Sequence, residues 1–275
     1  MRRIEFPSMA AVGFCQFVPS PALAGVVQCI WTLGSAAGAA DEQRFDERVH
    51  PDGRASLIFT FGDGFGIDGV ALPSGGFAEA LTSRSMCMTV GSRAPTLGVR
   101  LHPGGLHALL GIEAHTLVDR LVPLDELSLR ATRGLHERLA APGSDAERAA
   151  LVDGWCCDRL SAMRALAPAV RLTLDAIFRA QGRVRVRALA RAAGLGPRQL
   201  ERLYREQIGL SPRALARLVR VARARELIRQ SLGPRLVEVA QAAGYSDQAH
   251  FGHEFKSVTG MTPGEYRAGR VGPSG

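Results

Sequence analysis

The sequence predicts an α+β chain. A β-rich, barrel- or sandwich-like N-terminal domain with trailing helices precedes an all-α domain of two helix-turn-helix modules joined by a long helix. Three observations carry this. Val186–Gly194 reads Val-x-x-Leu-Ala-x-Ala-Ala-Gly, and fifty residues later Leu236–Gly244 reads Leu-x-x-Val-Ala-x-Ala-Ala-Gly; such a repeat fixes the structural unit. β-like runs broken by turns are confined to the first half of the chain. The charge is also segregated: residues 167–275 hold 19 basic against 8 acidic residues, a net +11, while residues 1–166 hold 15 against 18, a net −3.

In the first half, Val26–Leu33, Ala55–Phe61, Gly69–Leu72, Met86–Val90 and Leu97–Leu101 read as strands. Pro51-Asp52-Gly53, Gly62-Asp63-Gly64 and Pro73-Ser74-Gly75-Gly76 punctuate them as turns. From Gly105 the apolar spacing becomes helical, first at Leu106, Leu109 and Leu110, then at Leu117 and Leu121, and then over Leu127–Leu139. A longer helix is expected over Asp145–Leu166 with Ser144 as its cap. A helix near Val170–Phe178 forms the junction. The expected domains are therefore 1–166, a junction at 167–183, and 184–275.

In each copy of the repeat a first helix presents one small apolar stripe: Val186, Leu189, Ala190 and Ala193, then Leu236, Val239, Ala240 and Ala243. Gly194 and Gly244 fall where the helix stops and the chain turns sharply, a place that favours positive φ. A second helix follows, opened by Pro197 in one copy and by Ser246-Asp247 in the other. It buries Leu200, Leu203 and Tyr204, or Phe251 and Phe255. Between the copies, Ser211-Pro212 starts a helix that runs to about Gln230, with Leu215, Leu218, Ala222 and Ile228 inward and Arg213, Arg217, Arg220 and Arg229 elsewhere.

Two short helices joined by a glycine turn make the unit that sets its second helix in the major groove of DNA. The residues left outward on the second helices are Arg198, Gln199, Glu201, Arg202 and Arg205 in copy one, and Gln248, Ala249, His250, His253 and Lys256 in copy two. Arg can fork onto guanine, Gln can pair with adenine and Glu can accept from cytosine. The bland alternative for each is a solvated helix face. A rigid linker would hold two such readers about 34 Å apart, one turn of the duplex, and the basic half is the one that would meet a polyanion.

Residues 184–270 closely resemble the DNA-binding domain of AraC/XylS-type transcription regulators. The second copy carries the pattern in Ala243-Gly-Tyr-Ser-Asp-Gln-Ala-His-Phe-Gly-His-Glu-Phe-Lys256, Gly260-Met-Thr-Pro263 and Tyr266-Arg267. The resemblance implies DNA contacts at Arg198, Glu201, Arg202, Gln248, Ala249, His250 and His253. Two positions depart from it, His253 where Arg is common and Ala249 where Ser is common. Both weaken the second module, and a phosphate contact by His253 would strengthen binding at mildly acid pH. His50-Pro-Asp-Gly-Arg54, Gly98–Gly105 and Leu117–Asp125 resemble a β-rich region attached to some of these regulators, which implies ligand sensing or dimerisation. The partners expected are double-stranded DNA, a small-molecule effector, RNA polymerase and a second copy of the chain.

Other chemistry finds little support. Five cysteines form no even framework, which suits a reducing cytoplasm, and no apolar run approaches the ~18–20 residues of a membrane span. Gly62–Gly66 reads as a hairpin turn between strands and not as a phosphate loop. His50, Asp52 and His102 at strand ends read as turn residues, so no metal and no cofactor is expected. Adjacent Cys156 and Cys157 point about 100° apart and read as packing, and Trp31 reads as core. The competing function is a DNA-directed enzyme of the alkyl-DNA repair type. It would need clustered cysteines, which Cys15, Cys29 and Cys87 do not supply.

Overall fold

The computed structural model describes residues 2–5, 13–33, 44–91, 95–127, 130–230 and 235–269. Eleven strands run in chain order among these residues: β1 (Arg3–Glu5), β2 (Cys15–Phe17), β3 (Val27–Leu33), β4 (Arg44–Val49), β5 (Ala55–Thr60), β6 (Phe65–Ile67), β7 (Val70–Ala71), β8 (Gly75–Glu79), β9 (Met86–Gly91), β10 (Thr96–Leu101) and β11 (Leu121–Pro123). They form one antiparallel sheet in the order β1-β2-β3-β10-β5-β8-β11 and a second in the order β4-β9-β6-β7. The sheets stack as an open sandwich.

Period-two alternation explains how β5 can be buried throughout. Leu57 and Phe59 enter the main core, which the helices cover, while Ile58 turns to the other sheet and meets Leu33, Phe65 and Val90. The helices that follow are α1 (Gly105–Leu110), α2 (Leu135–Ala140) and α3 (Asp145–Asp158). Ser144 caps α3 by accepting the Glu147 N–H at 3.3 Å. α3 packs on β3 and β10.

Several expectations are corrected here. Helix α3 ends at Asp158 instead of Leu166 and gives way to a 3-10 turn over Leu160–Ala162. Leu117 ends a 3-10 turn and Leu121 opens strand β11 on β8, so neither lies in the helix expected there; the helix expected over Leu127–Leu139 is divided, with a 3-10 turn over Arg130–Thr132 and α2 starting only after Gly134. Gly75 and Gly76 belong to β8 and not to a turn. Gly62–Gly66 is no hairpin, because β5 and β6 lie in different sheets and β6 pairs with β9 and β7. β4, with its Arg-x-Asp-Glu-Arg polarity, exposes most of its side chains at a sheet edge and carried no alternating apolar signal.

Among the described residues beyond Val184 there are only helices: α5 (Val186–Ala192), α6 (Pro197–Gln207), α7 (Pro212–Gln230), α8 (Leu236–Ala242), α9 (Gln248–Thr259) and α10 (Pro263–Ala268). Before them, α4 (Pro168–Arg179) packs against α5, α6 and α7. The main core runs on from the sheet into these helices without a break. Specific bonds pin the two halves together. Ala167 N–H donates to Gln207 Oε1 at 2.9 Å, and Ser85 donates its N–H and its hydroxyl to Val258 O at 2.9 and 3.0 Å.

Candidate nucleic-acid interface

The two modules are built alike at the level of hydrogen bonds. In the first, Gly194 N–H donates to Arg191 O and Leu195 N–H reaches back to Ala190 O at 2.9 Å. In the second, Gly244 N–H donates to Gln241 O and Tyr245 N–H to Ala240 O, again at 2.9 Å. This reach-back bond closes a helix through a left-handed residue, and Gly194 and Gly244 have φ of 68° and 86°. The turn that the sequence demands is therefore present twice, with the same chemistry.

Each second helix is anchored on its inner face. Leu200 and Tyr204 of α6 are fully buried, and the Tyr204 hydroxyl donates to Thr173 Oγ1 of α4 at 3.0 Å. Burial pushes that phenol up to about 12, against the opposing bond from Thr173. Phe251 and Phe255 do the same work in α9: they meet edge to face, Phe255 meets Tyr266 in the same way, and Tyr245 lies tilted against Phe251. Asp247 caps α9 by accepting the His250 N–H at 2.7 Å, and that bond holds its carboxyl below the usual range.

The outer faces are open. Arg198, Gln199, Glu201, Arg202 and Arg205 on α6 are all exposed, as are Gln248, Ala249, His250, His253 and Lys256 on α9. Few are held by neighbours. Arg202 Nη1 lies 4.0 Å from Glu206, the outer limit of an ion pair, and His250 Nε2 lies 3.4 Å from Glu254. The first face has company, however. Arg198, Arg202 and Arg205 share a cleft of about 510 Å³ with Glu113 and His115 from the N-terminal half. The 3-10 turn Ala114–Leu117 is packed against α6. On its inner side the linker α7 buries Leu215, Leu218 and Ile228.

A group that sequence reasoning missed ties linker to reader. Arg220, expected to point away, lies instead in a half-buried cluster with Glu254 and Tyr245. Its spacing was the available signal: Arg220 stands four residues from both Ala216 and Ala224, which are buried, so it falls on the inner stripe of α7. Arg225 is likewise placed over the Tyr266 ring, 5.7 Å from its centroid.

The other candidates of the N-terminal half do not converge. His50 Nδ1 lies 2.6 Å from Ser85 Oγ; because the Ser85 hydroxyl donates to Val258 O, His50 is the donor. Asp52 is taken up by Arg54 and Arg100. Among the described residues no three His, Cys, Asp or Glu side chains are grouped to hold a metal ion, and no helix is long and apolar enough to cross a membrane. Cys156 is buried and Cys157 half-buried, and burial raises the Cys156 thiol far above its ordinary range.

Two glycine-turned helix pairs with open second helices define a double helix-turn-helix module. Residues 189–269 match the family described as "Helix-turn-helix domain", and residues 15–123 match a domain of unknown function (DUF6597). The HTH-type transcriptional regulator GlxA of Rhizobium meliloti is 42% identical over 80 residues, covering 29% of this chain and 24% of that protein. The arabinose operon regulatory protein of Escherichia coli is 32% identical over 84 residues, covering 30% and 28%. A crystal structure of a transcriptional regulator with an AraC-type DNA-binding domain, from Chromobacterium violaceum, is similar at 28% identity and a TM-score of 0.35, covering 39% of this chain and 96% of that one. The chain spans about a quarter of the length of these two curated relatives. The C-terminal region is thus similar to the helix-turn-helix domains of AraC-type transcriptional regulators.

Proposed function

We propose that this chain is a sequence-specific DNA-binding transcription regulator in which α6 and α9 read adjacent major-groove segments. The N-terminal half senses a small molecule, forms a dimer, or does both. The observation that carries the DNA reading is the pair of identically turned helix modules whose second helices leave Arg198, Gln199, Glu201, Arg202 and Arg205, and Gln248, Ala249, His250, His253 and Lys256, open to a partner. The proposed DNA-binding unit covers 184–275, and α4, in the junction at 167–183, packs on its helices α5, α6 and α7. Upstream of it, residues up to 166 form the sensing half.

Copy one brings three arginines to its face, while copy two brings a single lysine with two histidines. The first module therefore supplies more of the phosphate attraction. Glu113 and His115 share the cleft of Arg198, Arg202 and Arg205, so a duplex on the first module would lie beside the N-terminal half. DNA would be the partner of the C-terminal half, with RNA polymerase following from the regulatory role, in a cytoplasmic setting.

The experiment is a selection of bound duplexes from a random pool, followed by affinity measured across a salt series. The expected result is an enriched motif in two half-segments about one helical turn apart, ~10 base pairs, and an affinity falling steeply with salt as counterions are released. Enrichment of a single segment would remove one reader from the scheme. A flat salt response would remove the electrostatic part.

A further inference from the structure

The two modules are built on the same glycine turn with different side chains, so a difference between equivalent positions is not required by the fold. Leu200 and Tyr204 of α6 answer to Phe251 and Phe255 of α9, each pair fully buried. In that register Gln199 answers to His250, and the half-buried Leu203 answers to Glu254. An apolar residue therefore suffices at this shoulder of the second helix. In α9 the shoulder carries a carboxylate whose side chain is only 17% exposed, a placement that costs desolvation unless the charge is well partnered.

Glu254 is approached from two sides. From the linker, Arg220 Nη2 donates to both of its oxygens. From one turn earlier on α9, His250 Nε2 lies 3.4 Å from Oε1. The other polar groups around His250 are engaged elsewhere. The Asp247 carboxylate accepts the His250 backbone N–H at 2.7 Å and the Ser246 hydroxyl at 3.2 Å. Tyr245 meets the imidazole edge-on with centroids 5.5 Å apart, and its other neighbour is the Arg220 guanidinium. Burial and the adjacent Glu254 raise the Tyr245 phenol, which stays neutral there.

These surroundings decide which ring nitrogen of His250 carries the proton. A carboxylate accepts and does not donate, and a neutral imidazole has one donor and one acceptor nitrogen. The nitrogen that faces Glu254 is the donor, which leaves Nδ1 as the acceptor. Nδ1 has no hydrogen-bond partner among the described residues, and about half of the side chain is open. In the major groove adenine N6 and cytosine N4 are the amino donors, while guanine O6 and N7 and thymine O4 accept.

We propose that Glu254 is a positioning residue that fixes His250 as a hydrogen-bond acceptor, and that the second module thereby selects an amino base, adenine or cytosine, over guanine or thymine at the base His250 meets. This rests on the DNA reading proposed above.

The full-length chain is used throughout, with the selection of bound duplexes carried out at pH 8 for each variant. His250→Ala locates the base as the motif position whose preference it erases. At that position the unsubstituted chain is expected to favour adenine or cytosine about threefold to tenfold over guanine or thymine, the range of one hydrogen bond. Glu254→Gln, whose amide can turn either its oxygen or its amino group to the imidazole, should bring that ratio close to parity. His250→Lys, which only donates, should reverse the preference. Arg220→Met also removes a partner of Glu254 but leaves the carboxylate one helical turn from His250. It should lose stability and keep the preference, which separates orientation from folding. Long-range proton–nitrogen NMR correlations of the free protein at pH 8 should place the His250 proton on Nε2, and on both nitrogens in a mixture of tautomers in Glu254→Gln.

A motif with no position altered by His250→Ala would overturn His250 as a base contact. A preference for guanine or thymine, a proton on Nδ1, or an unchanged preference in Glu254→Gln would overturn the role assigned to Glu254. A loss in Arg220→Met as complete as in Glu254→Gln would make the effect one of folding and overturn it likewise. Failure of the unsubstituted chain to enrich any motif defeats the regulatory reading itself, whereas an enriched motif with any of these outcomes defeats this inference alone.

Discussion

Arg220 Nη2 of α7 lies 3.1 and 3.0 Å from the two carboxylate oxygens of Glu254 of α9, and the same guanidinium lies 5.2 Å above the Tyr245 ring. This joins the linker helix to the second reader and to the turn that precedes it. Both side chains are about four-fifths buried, at 21% and 17% exposure, so either one left alone keeps an ill-solvated charge. Arg220→Ala and Glu254→Ala should each cost ~1–3 kcal/mol in urea unfolding. The double variant should cost clearly less than their sum. Strict additivity would show that the pair is not coupled.

Arg202 is the simplest of the proposed DNA contacts to test, since its loose contact with Glu206 at 4.0 Å does little to hold the guanidinium. Arg202→Ala should weaken binding to a selected duplex by ~1–3 kcal/mol if the side chain forks onto a base. Binding to random DNA should fall less. Titration of both duplexes with the same protein checks this, and equal losses would make Arg202 a phosphate contact.

His50 joins the halves through Ser85 and through its edge-on approach to the Tyr266 ring, with centroids 5.5 Å apart. Burial first, and then Arg225 and Arg48, lower its pKa to about 4. In the unfolded chain an imidazole takes its proton near pH ~6.5. Between these values the unfolded state binds more protons than the folded one, so stability rises with pH across the window. The contribution is complete above about 6.5 and is lost as pH falls toward 4. Urea midpoints measured at pH 7.5 and pH 5 should therefore drop on acidification, and His50→Gln should flatten part of that drop. His102, whose pKa is also lowered by burial and Arg54, supplies another part. An unchanged slope in His50→Gln would show that His50 does not carry the effect.

The helical half was legible because its determinants are local. Glycine turns and apolar stripes lie within a few positions, and a second copy carries both. The linker was legible from Ser211-Pro212, where the serine side chain accepts the Ala214 N–H at 3.2 Å. The N-terminal half was only partly so. β5 and β10 announced themselves as apolar runs, but β4 and β8 are edge-exposed or glycine-led, and their pairing depends on partners some forty and some twenty residues away. The sequence pointed to the loop Pro51–Arg54 as a turn. It gave no sign that Asp52 would meet Arg100 from a strand 48 residues on, because long-range ion pairs leave no periodicity.

Gly194 and Gly244 offer a matched pair for separating backbone strain from crowding. Both hold positive φ, so an alanine at either position pays the left-handed cost of ~1–2 kcal/mol. Around Gly194 nothing stands within 4 Å of an added Cβ, whereas at Gly244 it would meet the Arg183 stem, 2.3 Å from Cδ. Gly194→Ala should therefore show the backbone cost alone. Gly244→Ala should add the cost of displacing Arg183, whose flexible side chain can swing aside, so the excess should stay small. Chemical denaturation of the two variants gives the comparison directly, and Asn at each site, which tolerates this conformation, should recover part of the loss. If Gly194→Ala proved neutral, the turn of the first module would be able to relax. The shared reach-back bond would then not be what fixes the angle between α5 and α6.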